Sequence, residues 1–106
     1  FNKSSGCIQG PNDPILKPKT ANKMDYEVEV AMVIGKEGKN ISEEKAQDHI
    51  FGYCIVNDVS ERSWQKERGG QWIKGKSIVG PCGPYLVTKD EIKNINNLNL
   101  SLQVNL

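Results

Sequence analysis

Glu27 and Glu29 stand two residues apart in the stretch Tyr-Glu-Val-Glu-Val-Ala-Met-Val-Ile, residues 26 to 34. In an extended strand that spacing puts both carboxylates on one face, with Cα atoms about 6.6 Å apart. A bare pair of like charges at that separation is costly, and a divalent cation between them would remove the conflict. The spacing alone is also that of a half-solvated edge strand, because glutamate is rarely buried unpaired. Asp58 adds a third carboxylate at the end of a second apolar run, just before a new helical turn. Taken singly it reads equally as an Asn-Asp turn or a helix cap. Together, Glu27, Glu29 and Asp58 form an all-oxygen donor set without imidazole or thiolate, which suits Mg²⁺, Mn²⁺ or Ca²⁺ and not zinc.

Arg62 and Gln65, three residues apart and just after Asp58, would share a face of a helical turn close to the same site. Arginine grips carboxylates through a planar fork, although a solvated helix surface accounts for Arg62 as well. Gly70-Gln-Trp-Ile-Lys-Gly75-Lys76-Ser77 matches the phosphate-loop expression G-x-x-x-x-G-K-[ST]. Such a loop needs a helix after it, and Pro81, Gly83 and Pro84 deny it one. Lys76 is then either a cation for an anionic substrate or developing enolate, or an ordinary loop lysine. The single histidine, His49, offers a thiol-imidazole pair with Cys54 or Cys82, but no third group is identifiable to orient it.

These residues have to be positioned by short β elements. Residues 26 to 34 are β-branched and alternating, with Tyr26, Val28, Val30, Met32 and Ile34 on one face, and predict a strand. Ser42 is placed to cap a short connector helix through about Asp48. Residues 50 to 59 predict an interior strand, Ser60 a cap for a helical turn over 61 to 66, and Gly69-Gly70 its end. Residues 85 to 88 predict a further strand, and the alternating segment 98 to 106 a last one. Pro11, Pro14 and Pro18 make residues 1 to 24 an extended, turning arm without a packing period, leaving 25 to 106 as the core that carries the site.

A chain of 106 residues allows one domain or part of one. Lys plus Arg is 14 and Asp plus Glu 13, so a net charge of +1 provides no basic field for nucleic acid. No apolar run approaches the roughly 18 to 20 residues of a bilayer span, and the leading residues show no signal-peptide core, so a cytoplasmic setting without membrane contact is expected. Cys7, Cys54 and Cys82 are odd in number and lack a C-x-x-C spacing, which indicates neither a disulfide framework nor a zinc site.

Three linked segments then resemble a known family. They are Asp25-Tyr-Glu27-Val-Glu29-Val-Ala-Met-Val-Ile-Gly35-Lys36, Phe51-Gly-Tyr-Cys-Ile-Val-Asn57-Asp58-Val-Ser60-Glu-Arg62-Ser-Trp-Gln65, and Gly69-Gly-Gln71-Trp72-Ile-Lys-Gly75-Lys76-Ser77. In order and spacing they resemble the fumarylacetoacetate hydrolase family. The resemblance implies an α+β, mainly β fold, the family's mixed β-roll, of which this chain would hold the N-terminal part. It implies Mg²⁺ or Mn²⁺ on Glu27, Glu29 and Asp58, with Arg62, Gln65 and Lys76 at the substrate and its developing oxyanion. The implied activity is hydrolysis of a carbon-carbon bond in a keto or β-diketo acid of the acylpyruvate or diketo-deoxy sugar acid type. Related members isomerise, hydrate or decarboxylate similar compounds.

The resemblance further implies a homodimer or association with a completing chain. Many relatives supply a general base as a His-Glu pair upstream of the matched region. Ile78-Val79-Gly80 stands where many relatives have Phe-Asp-Thr, removing an acidic and a hydroxyl side chain near Lys76. A second expectation, of another class, is a truncated homologue acting as a non-catalytic assembly or regulatory subunit.

Overall fold

The computed structural model describes residues 2–67 and 78–105. Two apolar, β-branched runs pair along most of their length: β3 (Val28–Ile34) lies antiparallel to β4 (Ile50–Asn57), and β7 (Val87–Thr88) adds to the other edge of β4. The register runs from Val28 opposite Asn57 to Val33 opposite Gly52, with an irregularity between Val33 and Ile34. β4 needs a glycine at position 52, because a Cβ there would collide with the Val87 carbonyl oxygen of the neighbouring strand.

Two smaller ribbons tie distant parts of the chain to this sheet. β1 (Ile8–Gln9) runs parallel to β6 (Gly80–Pro81), and β2 (Met24–Asp25) antiparallel to β5 (Ser60–Glu61). The leading arm is therefore more than the passive extension its prolines suggested. It contributes a 3-10 turn at Ser5–Cys7 and the β1 and β2 pairings, and buries Cys7 and Ala21. Among the described residues, the other buried apolar side chains are Ile50, Tyr53, Val59 and Ile78.

Several boundaries differ from expectation for local reasons. The first strand starts at Val28 rather than Tyr26, because Glu27 accepts a backbone bond from Asp58 while its own N–H turns to the Asn57 side chain. The connector is a single α-turn, α1 (Glu43–Ala46), followed by a 3-10 turn at Gln47–His49, and Ser42 makes no side-chain cap bond. Only Val87–Thr88 of the run from 85 to 88 is strand.

The segment 98 to 105 is not a strand, contrary to its alternation: no described strand edge pairs with it, and Leu98, Leu100, Leu102 and Val104 stay exposed. Of these, Leu98 and Leu100 join Tyr85 and Ile55 in bordering an open groove of about 240 Å³ that is also lined by Val30 and Tyr53. The radius of gyration is 15.6 Å, against about 13 Å for a closed domain of this length. Among the described residues no helix is long and apolar enough to cross a membrane.

Candidate metal centre

The pairing of β3 with β4 is what gathers the acids. Glu29 lies opposite Val56 in the register, Glu27 just precedes β3 and Asp58 just follows β4, so all three sit where the two strands end side by side. The junction is sewn by the Asp58 amide donating to the Glu27 carbonyl at 2.9 Å and by the Glu27 amide donating to Asn57 Oδ1 at 3.2 Å. One carboxylate oxygen from each of Glu27, Glu29 and Asp58 then lies within 4.8 Å of the others. Oxygens bound to a single Mg²⁺ are about 3 to 4 Å apart. The cluster is only slightly wider than that, and an oxygen-only donor set suits a hard dication rather than zinc.

Three carboxylates this close are held by cations from two sides. Arg62 opens α2 (Arg62–Glu67), and its Nη1 meets Glu27 Oε1 at 2.5 Å while its Nε donates to Asp25 Oδ2 at 2.8 Å. Nη1 also donates to Gln65 Oε1 at 2.9 Å, one helical turn further along. Burial works against the guanidinium charge, but the hydrogen bonds to Asp25 and Glu27 outweigh it and raise the Arg62 pKa. The same Arg62 hydrogen bond draws Asp25 below the usual carboxylate range. Nη2 of Arg62 and the side-chain amide nitrogen of Gln65 make no hydrogen bond among the described residues. On the other side, Lys3 Nζ donates to Asp58 Oδ1 and to the Val59 carbonyl, each at 2.8 Å. Asp58 is only 5% exposed, a burial a carboxylate tolerates only with such partners.

Glu61 is the structural keystone beneath the site. It is fully buried and accepts from Lys23 N at 2.6 Å, Ser63 N at 3.3 Å, Ser63 Oγ at 2.5 Å and Trp64 N at 2.8 Å. Burial alone would push its pKa up, yet these donors win and bring it down to about 2. Glu61, not Ser60, thus holds the first amides of α2. Ser60 belongs to β5, and its hydroxyl donates to the Asp58 carbonyl at 3.0 Å.

The structure brings together Glu27, Glu29, Asp58, Arg62 and Gln65. Lys76, the phosphate-loop look-alike and Gln71-Trp72 lie outside the described residues. His49 stands away from any thiol partnership of the expected kind: its Nδ1 is 2.9 Å from the Lys36 carbonyl, and Cys54 instead meets Cys82. Lys3, Asp25 and Glu61 escaped the sequence reading. Asp25 continues the two-residue spacing of Glu27 and Glu29 and was open to inference. Lys3 gives no local signal, because its contact spans the chain.

Comparison with known proteins follows the same lines. The sequence profile of the fumarylacetoacetate (FAA) hydrolase C-terminal family matches residues 1–106. A protein of Burkholderia multivorans (strain ATCC 17616 / 249) named as a hydrolase is 53% identical over 106 residues, covering 98% of this chain and 38% of its own. The chain thus spans 38% of the length of the curated relatives it matches.

Among solved structures, the fumarylacetoacetate hydrolase of psychrophilic Exiguobacterium antarcticum superimposes with a TM-score of 0.77 at 44% identity, over 85% of this chain and 33% of that one. The 2-hydroxyhepta-2,4-diene-1,7-dioate isomerase of Mycobacterium marinum gives a TM-score of 0.77 at 44% identity, over 83% and 35%. The strand-rich fold with few helices is the one these neighbours share. The paired strands, the acid cluster at their ends and the match over the whole chain place this protein in the fumarylacetoacetate hydrolase family.

Proposed function

We propose that this chain carries the metal centre of an enzyme that cleaves a carbon-carbon bond in a keto or β-diketo acid, with Glu27, Glu29 and Asp58 holding Mg²⁺ or Mn²⁺. The observation that carries the reading is the convergence of those three carboxylates within 4.8 Å at the end of the β3–β4 pair. A dication bound there would supply Lewis acidity and a chelation point for the carboxylate and 2-oxo oxygens of a 2,4-dioxo acid. Hydrolysis adds water at the distal carbonyl and breaks the bond between C3 and C4. The electron pair of that bond leaves as an enolate of pyruvate type, which a proton then quenches.

Arg62 serves this chemistry twice. Its Nε and Nη1 fix Asp25 and Glu27, and its Nη2 is the donor we assign to the substrate carboxylate. Gln65, held by its oxygen, presents its amide nitrogen to the same substrate. Lys76 is assigned to the enolate oxygen, where a fixed cation lowers the barrier as charge develops. The Mycobacterium marinum relative's name describes the isomerisation of a 2-hydroxy-2,4-dienoate, the enol form of a 2-oxo acid. This supports a 2-oxo acid headgroup as the shared substrate element. Thermal unfolding with added Mn²⁺ or Mg²⁺ tests the centre, and loss of enol absorbance with acylpyruvates tests the reaction. The melting midpoint rises with metal and Glu29→Gln abolishes the rise; an unchanged wild-type titration refutes the metal site.

A further inference from the structure

The metal centre leaves one close pair of reactive groups unused. Cys54 Sγ lies 3.3 Å from Cys82 Sγ, although the two are 28 residues apart in sequence. Cys54 is in the middle of β4, two residues before Val56 and so on the same face. Cys82 stands directly opposite Val56 in an isolated antiparallel bridge. Its backbone is held from both sides: the Cys82 amide donates to the Gln9 carbonyl at 3.0 Å, and the Gly83 amide donates to the Ile55 carbonyl at 2.9 Å. The two sulfurs already touch, so bonding them asks for side-chain rotation within a framework that is fixed.

We propose that Cys54 and Cys82 are a dithiol site that closes to an intramolecular disulfide on exposure to a small-molecule disulfide such as oxidised glutathione. Burial, and then its hydrogen bond to Cys82, push the Cys54 thiol up to about 11. One thiolate of the pair attacks one sulfur of oxidised glutathione and expels a glutathione thiolate, leaving a mixed disulfide. The other sulfur gives up its proton to solvent and attacks the protein sulfur of that mixed disulfide, expelling the second glutathione thiolate. Two protein thiols are oxidised and one glutathione disulfide is reduced to two thiols. The ring so closed takes in Asp58, Arg62, Gln65 and Lys76, four of the six residues assigned to the site. Oxidation therefore tethers both ends of the functional segment to each other and removes freedom from the unfolded chain.

The test titrates the full chain with defined mixtures of oxidised and reduced glutathione, followed by intact mass and peptide mapping. Expected is a mass loss of two hydrogens, a peptide joining Cys54 to Cys82, and a higher melting midpoint that returns to its starting value on reduction. Cys54→Ser and Cys82→Ser should each abolish the cross-link and stop the reaction at a glutathione adduct on the remaining thiol of the pair. The wild-type map decides the matter even if a serine variant fails to fold. A cross-link through Cys7, a persistent glutathione adduct on the wild-type protein, or no reaction at any mixture overturns the proposal.

Discussion

Lys3 and Asp58 are 55 residues apart, yet the Lys3 ammonium lies 2.8 Å from Asp58 Oδ1 and binds the next carbonyl, that of Val59, at the same distance. One side chain of the leading arm thus holds one carboxylate oxygen of a proposed metal ligand. Its stem passes along Gly80, where an added Cβ would sit 3.4 Å from Lys3 Cε. Lysine at position 3 stands in for part of the charge that a dication would bring.

Removing that ammonium takes a cationic partner at 2.8 Å away from a buried carboxylate. Lys3→Met is expected to cost about 2 kcal/mol of stability in the metal-free protein, the scale of a hydrogen bond to a charged group. Added Mn²⁺ should raise the melting midpoint of this variant more than that of wild type, because the ion replaces what was lost. Pairing the change with Asp58→Asn in a double-mutant cycle checks the link. Additive effects of the two substitutions would show that the contact carries no energy.

How much of this was visible beforehand depends on the range of the contacts. Glu27, Glu29 and Asp58 were legible only in part: alternation in β3 and the apolar run of β4 place acids near strand ends, which alone reads as an edge strand and a turn, and the family resemblance joined them into one set. Lys3 was not, since an arm rich in proline reveals nothing locally about where its lysine docks. Ser60 was read as the helix cap because serine is a favoured cap, but Glu61 competes for the same amides and, fully buried, holds them with two oxygens. The alternation of residues 98 to 105 encodes which side chains could share a face, and a strand forms only where a neighbouring edge exists to pair with.

Arg62 distributes its guanidinium over Asp25, Glu27 and Gln65, a geometry that needs a planar fork. Arg62→Lys keeps the charge but loses the rigid fork by which two separate nitrogens hold Asp25 and Glu27. Metal affinity measured by Mn²⁺ paramagnetic resonance should fall roughly tenfold, the usual effect of losing a residue that orients a ligand. An affinity equal to wild type would remove Arg62 from the positioning of Glu27.

Glu61 predicts a specific acid response. Its folded pKa, about 2, lies below the ordinary carboxylate value of 4.5, so the folded state prefers the ionised form. The stability that follows is fully present above pH 4.5 and is lost as the pH falls towards 2. Asp25, also lowered, contributes in the acid range, so the informative quantity is the difference between wild type and Glu61→Gln. The variant should be less stable at pH 7 by about 1 to 3 kcal/mol, and the gap should narrow on acidification. A gap independent of pH would mean the carboxylate charge is not what holds α2.

Gly52 carries a packing prediction that does not depend on chemistry. A methyl group at this position runs into the Val87 carbonyl oxygen, so β7 has to move away from β4 to accept it. Gly52→Ala is expected to cost about 1 to 3 kcal/mol, the range for overpacking. Urea denaturation reads this directly, and a variant as stable as wild type would show that β7 is only loosely attached.

The exposed apolar side chains lead to the last prediction. Leu98, Leu100, Leu102 and Val104 are exposed, the first two lining a groove with Val30, Tyr53 and Ile55, and an accessible area of 8062 Å² exceeds the roughly 5,900 Å² of a closed monomer of this mass. A surface so apolar, with strand-like alternation and no described edge to pair with, favours self-association. Light scattering behind size exclusion should therefore return a mass above the monomer at micromolar concentration. Leu100→Lys, which puts a charge in the middle of the patch, should shift the population to monomer without altering Mn²⁺ affinity. A compact monomer with a cooperative melt in the wild-type protein would show that these leucines are covered by the chain itself.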